Sequence, residues 1–379
     1  MKAINNGMLV LPHEIIEDGL VLFEGDTILW SGSSSEMRLP SGCEIIDANG
    51  NYIAPGFVDI HCHGGDGVRC NTDPVIMARH HLTHGTTSLL CSIAYGIEYP
   101  EYIDAIQVIR DAYEIGVPGN IAGIHMESPY ISPNYGARSK GRAPYPVKRE
   151  EYEAFVECSG NLIRQWTFSP ELDGLDDFVD FAAKKGIALA MGHSEAGVEA
   201  VDHFYRKGVR IVTHLFDATG CSVKQKKYGG TRDPWFDECC MVYDDMYVEI
   251  IPDSLGAHVR PTMAKLALKT MGEDFVCIIT DASAEIIGGD GLDIHINEQG
   301  ELSGSKMTMD RACRNMRRFT GADMRVVCKL ASTNPAKAVG LFTEVGSLEA
   351  GKKANILIMD DDFTIQHLFF TRGKVYYFY

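Results

Sequence analysis

Short apolar runs alternate with stretches of helical periodicity through the middle of the chain. The apolar runs predict eight strands, at 53–61, 86–93, 120–127, 162–170, 187–194, 209–216, 246–252 and 275–281. The periodic stretches predict helices between them, at 74–84, 99–115, 175–185, 197–207 and 261–271. Alternating strands and helices are typical of a parallel sheet wrapped by helices, so we predict an α/β protein built on one (β/α)8 barrel.

The two ends of the chain have a different texture. Residues 1–52 contain short alternating segments, such as 19–23 and 27–32, separated by the turn Glu24-Gly25-Asp26. The stretch 346–379 has the same antiparallel β texture. We therefore predict that residues 1–52 and 336–379 pair into a small β-sandwich domain beside a barrel formed by residues 53–335.

Composition narrows the class of protein. The 379 residues are 45% hydrophobic and carry a formal net charge of −17, which argues against nucleic acid or an anionic membrane as partner. The apolar runs are shorter than the ~20 residues of a membrane-spanning helix. No small-residue cleavage site follows the first residues, and eleven cysteines lack a regular framework, so we expect a cytoplasmic protein.

Six potential metal ligands fall at the predicted carboxyl ends of strands. His61 and His63 end the first strand, and their spacing of two puts both imidazoles on one face. The other four end the third, fifth, sixth and eighth strands: Glu127, His193, His214 and Asp281. Singly, each has another explanation, such as a core histidine or a helix cap. Because barrel enzymes build their active sites at these strand ends, the set together predicts a metal centre.

Imidazoles combined with carboxylates suit zinc, iron, manganese or cobalt, and we expect one or two ions. A bound ion with an open position can lower the pKa of water from about 15.7 to about 7, which supplies hydroxide at neutral pH. A carboxylate facing the ion can take the proton from the attacking water and return it to a leaving amine. Asp281 is the candidate for this acid/base role.

Several motifs, in order along the chain, resemble those of N-acetylglucosamine-6-phosphate deacetylases of the amidohydrolase superfamily. They are PGFVDIHCHGG, GIHMESPYISP, FSPEL, MGHSEA, THLFDAT, IITDA, LSGS and STNPAKAVGL with GSLEAGKKANILIMD, from about Ala54 to Asp360. The resemblance implies an enzyme that removes acetate from N-acetylglucosamine-6-phosphate and leaves glucosamine-6-phosphate. It also implies that Glu127, His193 and His214 hold the main metal, that Asp281 is the acid/base, and that His61 and His63 serve a second metal position.

The resemblance further implies a homodimer, in which a basic residue after the sixth strand contacts the substrate phosphate across the interface. Arg232 is favoured for its bidentate geometry, with Lys224, Lys226 and Lys227 as the other candidates. The basic segments that hold these residues, 138–149 and 224–232, are also compatible with ordinary solvated loops. The polar stretch 134–146 predicts a mobile flap over the substrate, with a plain surface loop as the alternative.

The positions expected to bind substrate depart from the family pattern. They are Asp217, Ala218, His258, Arg138 and Arg232. Asp217 stands where relatives carry a neutral amide, Arg138 where they carry histidine, and two extra residues precede His258. A carboxylate at 217 would repel a phosphate within a Debye length of ~8 Å. Two readings follow: unchanged specificity, or hydrolysis of another N-acyl amine, namely a different amino sugar, a dipeptide or a cyclic amide.

Overall fold

The predicted barrel is confirmed in the computed structural model, which describes residues 1–135, 143–220, 229–289, 291–370 and, for the backbone alone, 374–377. Eight parallel strands follow one another in chain order around one sheet. They are β1 (Phe57–Cys62), β2 (Thr86–Ala94), β3 (Ile121–Glu127), β4 (Ile163–Phe168), β5 (Ala188–Met191), β6 (Ile211–Val212), β7 (Tyr247–Ile250) and β8 (Val276–Ile278). The barrel closes where the residues after β8 meet β1, because the amide of Asp281 donates to the carbonyl of His61 at 2.9 Å.

Helices cover the outside of the barrel. They are α1 (Pro74–Thr83), α2 (Tyr99–Ile115), α3 (Arg149–Ser159), α4 (Leu175–Lys184), α5 (Val198–Arg206), α6 (Phe236–Cys240), α7 (Pro261–Met271), α8 (Met309–Thr320), α9 (Met324–Cys328) and α10 (Asn334–Ala338). The five predicted helices match α1, α2, α4, α5 and α7 to within one residue at each end. The capping residues explain such agreement. For example, Asp73 accepts a hydrogen bond from the amide of Ile76 just before Pro74 starts α1.

The strands are buried on both faces, which is why they read as continuous apolar runs in the sequence. All six residues of β1 are buried, and the core around it includes Phe57, Ile60 and Leu89. Strand β6 is shorter than the predicted run 209–216, since the chain leaves the sheet after Val212. His214 and Phe216 then adopt positive φ angles of 29° and 73°, which ends regular pairing.

The two ends of the chain pair into a second, mixed sheet of eight strands beside the barrel. Its strands are Lys2–Val10, Ile15–Glu24, Thr27–Ser33, Glu44–Asp47, Tyr52–Pro55, Ile356–Met359, Ile365–Phe370 and Lys374–Tyr377. Strand Tyr52–Pro55 joins the two ends, because it pairs with Lys2–Val10 on one side and with Ile356–Met359 on the other. The sheet surrounds its own apolar core, which includes Val21, Phe23 and Phe369.

Two short antiparallel ribbons stand at the carboxyl ends of the barrel strands. Gly64–Gly65 pairs with Val68–Arg69, and Ile294–Ile296 pairs with Leu302–Ser305. A 3-10 helix covers Ser34–Glu36, and a π-helix covers Lys329–Thr333. Among the helices that the structure describes, none has the length and apolar character needed to cross a bilayer.

Candidate metal centre

The structure brings all six predicted ligands together at the carboxyl ends of the strands. All six are buried, with at most 8% of the residue exposed: His61, His63, Glu127, His193, His214 and Asp281. Three of them follow their strands with positive φ angles, namely His193 at 47°, His214 at 29° and Asp281 at 47°. This region is costly for residues other than glycine, so the surrounding fold must hold these side chains in place.

Glu127 lies at the middle of the cluster. Its Oε1 is 2.7 Å from His193 Nε2 and 3.1 Å from His214 Nε2. Its Oε2 is 3.1 Å from His63 Nε2, and its Oε1 is 3.3 Å from His61 Nε2. Two triads of possible ligands therefore share this one carboxylate: Glu127 with His193 and His214, and Glu127 with His61 and His63.

The hydrogen bonds behind the cluster orient three of the four histidines. The Nδ1 of His63 lies 2.8 Å from the carbonyl oxygen of Ser92, and the Nδ1 of His214 lies 3.1 Å from that of Asp217. A carbonyl can only accept, so Nδ1 carries the proton in both rings. The Nδ1 of His61 faces the carboxylate of Glu249 at 3.1 Å. In all three rings Nε2 faces the cluster, where it can bind a cation once it has given up its proton.

The charges of the cluster follow from burial and mutual contact. Burial raises the pKa of Glu127, but the imidazoles of His61 and His193 outweigh burial and hold this pKa well below its ordinary value. Burial lowers the pKa of His193, and the neighbouring His214 lowers it further. Burial also raises the pKa of Asp281, yet His61 and His63 lower it overall. The result is a pair of ionised carboxylates, Glu127 and Asp281, beside the imidazole of His193, whose pKa is lowered.

These side chains fit a bound metal ion. The Nε2 atoms of His193 and His214 are 2.9 Å apart, and those of His61 and His63 are 3.2 Å apart. Four ring nitrogens that converge at such distances around one carboxylate can all bind a cation placed between them. Nitrogen and carboxylate oxygen donors in this number suit zinc and other divalent first-row metals.

Asp281 faces the second triad, with its Oδ1 at 3.2 Å from His63 Nε2 and 3.4 Å from His61 Nε2. The ribbon that contains the LSGS motif, 302–305, holds its backbone, because the amide of Ser305 donates to the Asp281 carbonyl at 2.8 Å. A Cβ atom on Gly304 would lie 2.7 Å from that same oxygen. Only glycine allows this approach, which explains one residue of the motif.

A cavity of about 80 Å³ opens above the cluster. Asp217 and Ala218 line it, as predicted from the sequence, together with Glu127, His193, His214 and Asp281. His258 is buried nearby, and its Nδ1 lies 3.0 Å from the Oδ2 of Asp253. The two extra residues before His258 fold into a turn around Asp253, whose carboxylate accepts the amides of Leu255 and Ala257. The insertion is therefore absorbed before His258.

One predicted basic contact, Arg232, is not part of this cavity wall. Arg232 forms a bidentate ion pair with Glu238, at 2.7 and 2.5 Å, and its side chain is 63% exposed. Arg138 lies outside the described residues, as do Lys224, Lys226 and Lys227. Of the predicted flap 134–146, residues 136–142 also lie outside the described part of the chain.

Sequence reasoning missed several side chains at the site. Arg69 and Tyr95 line the cavity, and Glu249 lies beneath the cluster. Arg69 could have been suspected from its place six residues after His63, at the end of the glycine-rich turn GGDGVR. Glu249 could have been found as a charge within the apolar run of β7, whose neighbours Val248 and Ile250 are buried.

A closed parallel barrel with imidazole and carboxylate ligands at the carboxyl ends of its strands defines a metal-dependent hydrolase of the barrel class. The sequence pattern of the amidohydrolase family matches residues 52–375. The chain therefore belongs to the amidohydrolase family, whose members depend on metal, and it supplies the candidate ligand groups described above.

Similar proteins support the same assignment over the full length of the chain. A protein from Bacillus subtilis (strain 168), named N-acetylglucosamine-6-phosphate deacetylase, is 27% identical over 93% of this chain and 92% of its own length. The crystal structure of the Pasteurella multocida protein of that name is 25% identical, with a TM-score of 0.85 and full coverage of both chains. A Mycobacterium smegmatis structure, named as a complex with N-acetyl-D-glucosamine-6-phosphate, shares the fold at 22% identity, with a TM-score of 0.83 and coverage of 99% of this chain and 98% of its own.

Proposed function

We propose that this chain is a metal-dependent amide hydrolase that removes acetate from N-acetylglucosamine-6-phosphate. The observation that carries the proposal is Glu127, one carboxylate shared by two pairs of histidines, with Asp281 facing them from the last strand. Relatives with this activity in their name match the chain from end to end, which supports the same substrate class.

In this proposal Glu127, His193 and His214 hold the main ion, and His61 and His63 with Glu127 hold a second one. A bound ion at this site, zinc by the donor set and iron, manganese or cobalt as alternatives, would supply a Lewis acid for the amide carbonyl and would lower the pKa of water. Burial raises the pKa of Asp281, but the histidines that it faces lower this pKa overall. Asp281 therefore enters the reaction as a carboxylate.

The protein groups then move one proton through the reaction. Asp281 accepts a proton from the water that attacks the acyl carbon, and it returns this proton to the nitrogen as the C–N bond breaks. The products are acetate and the free amine of glucosamine-6-phosphate. Asp217 and Ala218 in the cavity wall, with His258 beside it, are the proposed sugar contacts. Contacts from Arg138 and Arg232, a homodimer and a cytoplasmic location stay predictions from the sequence and the resemblance.

Glu249 gives a test of the proposed second ion. It is fully buried in β7 and joins His61 Nδ1, at 3.1 Å, to Gln165 Nε2, at 2.6 Å. A carboxylate in this position fixes the ring of a ligand histidine and raises its basicity. We expect Glu249→Gln to weaken binding of the second ion by about 10- to 100-fold, measured by competition with a chromophoric chelator. Unchanged affinity, equal to that of the exposed variant Glu114→Gln, would contradict the role.

The substrate is tested by amine release from metal-loaded protein. We expect turnover of N-acetylglucosamine-6-phosphate to exceed that of unphosphorylated N-acetylglucosamine and of N-acetyl dipeptides. The alternative hypothesis is that the substrate is another N-acyl amine. One observation supports it, namely the charge of Asp217 in the cavity wall. Full metal content with turnover of a different amide only would favour that reading.

A further inference from the structure

Arg69 is a positive charge in the wall of the reaction cavity to which the proposed chemistry gives no task. Among the described residues that line the cavity it is the single lysine or arginine, beside Tyr95, Ser283 and Ser303. The cavity walls otherwise carry carboxylates and histidines, and the chain as a whole has a net charge of −17. A cation in this place needs a physical explanation.

The backbone of Arg69 is held in a defined position next to a ligand. The ribbon Gly64–Gly65 with Val68–Arg69 continues directly from His63, and the amide of Cys70 donates to the His63 carbonyl at 2.8 Å. The amide of Gly64 donates to Ala282 at 2.9 Å. A Cβ atom on Gly64 would lie 2.5 Å from the carbonyl oxygen of Val68, so the tight ribbon requires glycine there. The fold thus presents Arg69 at the cavity rim.

The N–H groups of the Arg69 guanidinium are available as hydrogen-bond donors to a ligand. Within the described part of the chain, the guanidinium forms neither an ion pair nor a hydrogen bond, although its charge acts on Glu285. Two carboxylates of the same cavity wall, Glu127 and Asp281, are already engaged with histidines. A partly buried guanidinium with free donors matches the geometry of a carboxylate or phosphate group.

The cavity is polarised across the cluster. Arg69 follows β1, and its neighbours Tyr95 and Ser283 follow the adjacent strands β2 and β8. Asp217 follows β6, which is not adjacent to any of these three strands. In the proposed reaction the cleaved amide lies at Glu127 and Asp281, between the two sides. Under that proposal one part of the substrate faces a cation, and the other faces a carboxylate.

We propose that Arg69 binds an anionic oxygen group of the substrate and so determines specificity. This inference rests on the proposed amide hydrolysis and refines its substrate class. The oxyanion comes from one of two sources, which are the phosphate of the amino sugar and a terminal carboxylate on the acyl group. Either source supplies the bidentate acceptor that the guanidinium lacks within the chain.

Kinetics of the metal-loaded enzyme separate these sources. Two substrate pairs differ by one anion each: N-acetylglucosamine-6-phosphate against N-acetylglucosamine, and N-succinylglucosamine against N-acetylglucosamine. We expect Arg69→Gln to raise KM about 10- to 100-fold for the anionic member of one pair. The kcat for that substrate, and both KM and kcat for the neutral substrate, should change less than about twofold. Arg69→Lys should recover part of the loss, because lysine restores the positive charge but not the bidentate hydrogen bonding of the guanidinium. The exposed variant Arg79→Gln on α1 is the control for net charge.

An equal loss for neutral and anionic substrates, or no loss for either anionic substrate, would show that Arg69 does not bind the anion. Binding measurements keep this result separate from the proposed function. If the wild-type enzyme hydrolyses none of the amides, the proposed function fails. Titration calorimetry with glucosamine-6-phosphate against glucosamine, and with succinate against acetate, then tests Arg69 alone. Selective weakening of one anionic ligand in Arg69→Gln supports the inference, and equal binding by both proteins overturns it.

Discussion

Replacing Asp281 with asparagine should reduce kcat for amide hydrolysis by a factor of at least about 10² to 10⁴ and leave the metal content unchanged. Asparagine has nearly the same shape but cannot accept the proton from water or return it to the amine. The main triad of Glu127, His193 and His214 does not include this side chain, so its ion should stay bound.

Steady-state kinetics and metal analysis by mass spectrometry measure both parts of this result. Asp104→Asn, an exposed change on α2, is the matched control and should behave as the wild type. An Asp281→Asn enzyme that keeps more than a tenth of the wild-type kcat would show that another group transfers the proton. A variant that loses its metal would show that Asp281 is a required ligand.

The second large effect is expected at Glu127, where glutamine should lower metal affinity by more than about 100-fold. Mutation of a residue that only hydrogen-bonds to a metal ligand typically lowers metal affinity about 10- to 100-fold. Glu127 lies among the proposed ligands themselves, within 3.3 Å of four histidines, so its loss should cost more. Glutamine keeps the volume but removes the negative charge shared by both triads. Activity should fall with the metal, since both ions depend on this carboxylate.

Equilibrium dialysis against a chelator of known affinity measures the loss. The exposed variant Glu157→Gln on α3 is the control, because its carboxylate lies far from any ligand contact. Restoration of wild-type turnover at high metal concentration would mean that Glu127 acts only in binding. Full metal content at nanomolar free metal would contradict the shared-ligand proposal.

The sequence was informative wherever a local pattern carries the signal. Continuous apolar runs predicted the eight strands, and helix caps such as Asp73 before Pro74 marked where helices start. The helix α3 was missed, although Tyr152, Phe155, Val156 and Ser159 are spaced as a buried helical face. The charged residues of its first turn follow the polar segment 134–146 directly, so the helical spacing of the apolar residues was not recognised in the sequence.

The barrel and the six side chains at its rim were predictable from the sequence, because strand order and strand ends follow from the local pattern and from chain connectivity. Which groups meet depends on the folded chain. It joined Glu249 to His61 across 188 residues, and it set Arg69 beside Ser283 in one wall. It also left Arg232 paired with Glu238. Such contacts depend on distances between separate strands and loops after the barrel closes, and no periodicity along the chain encodes those distances.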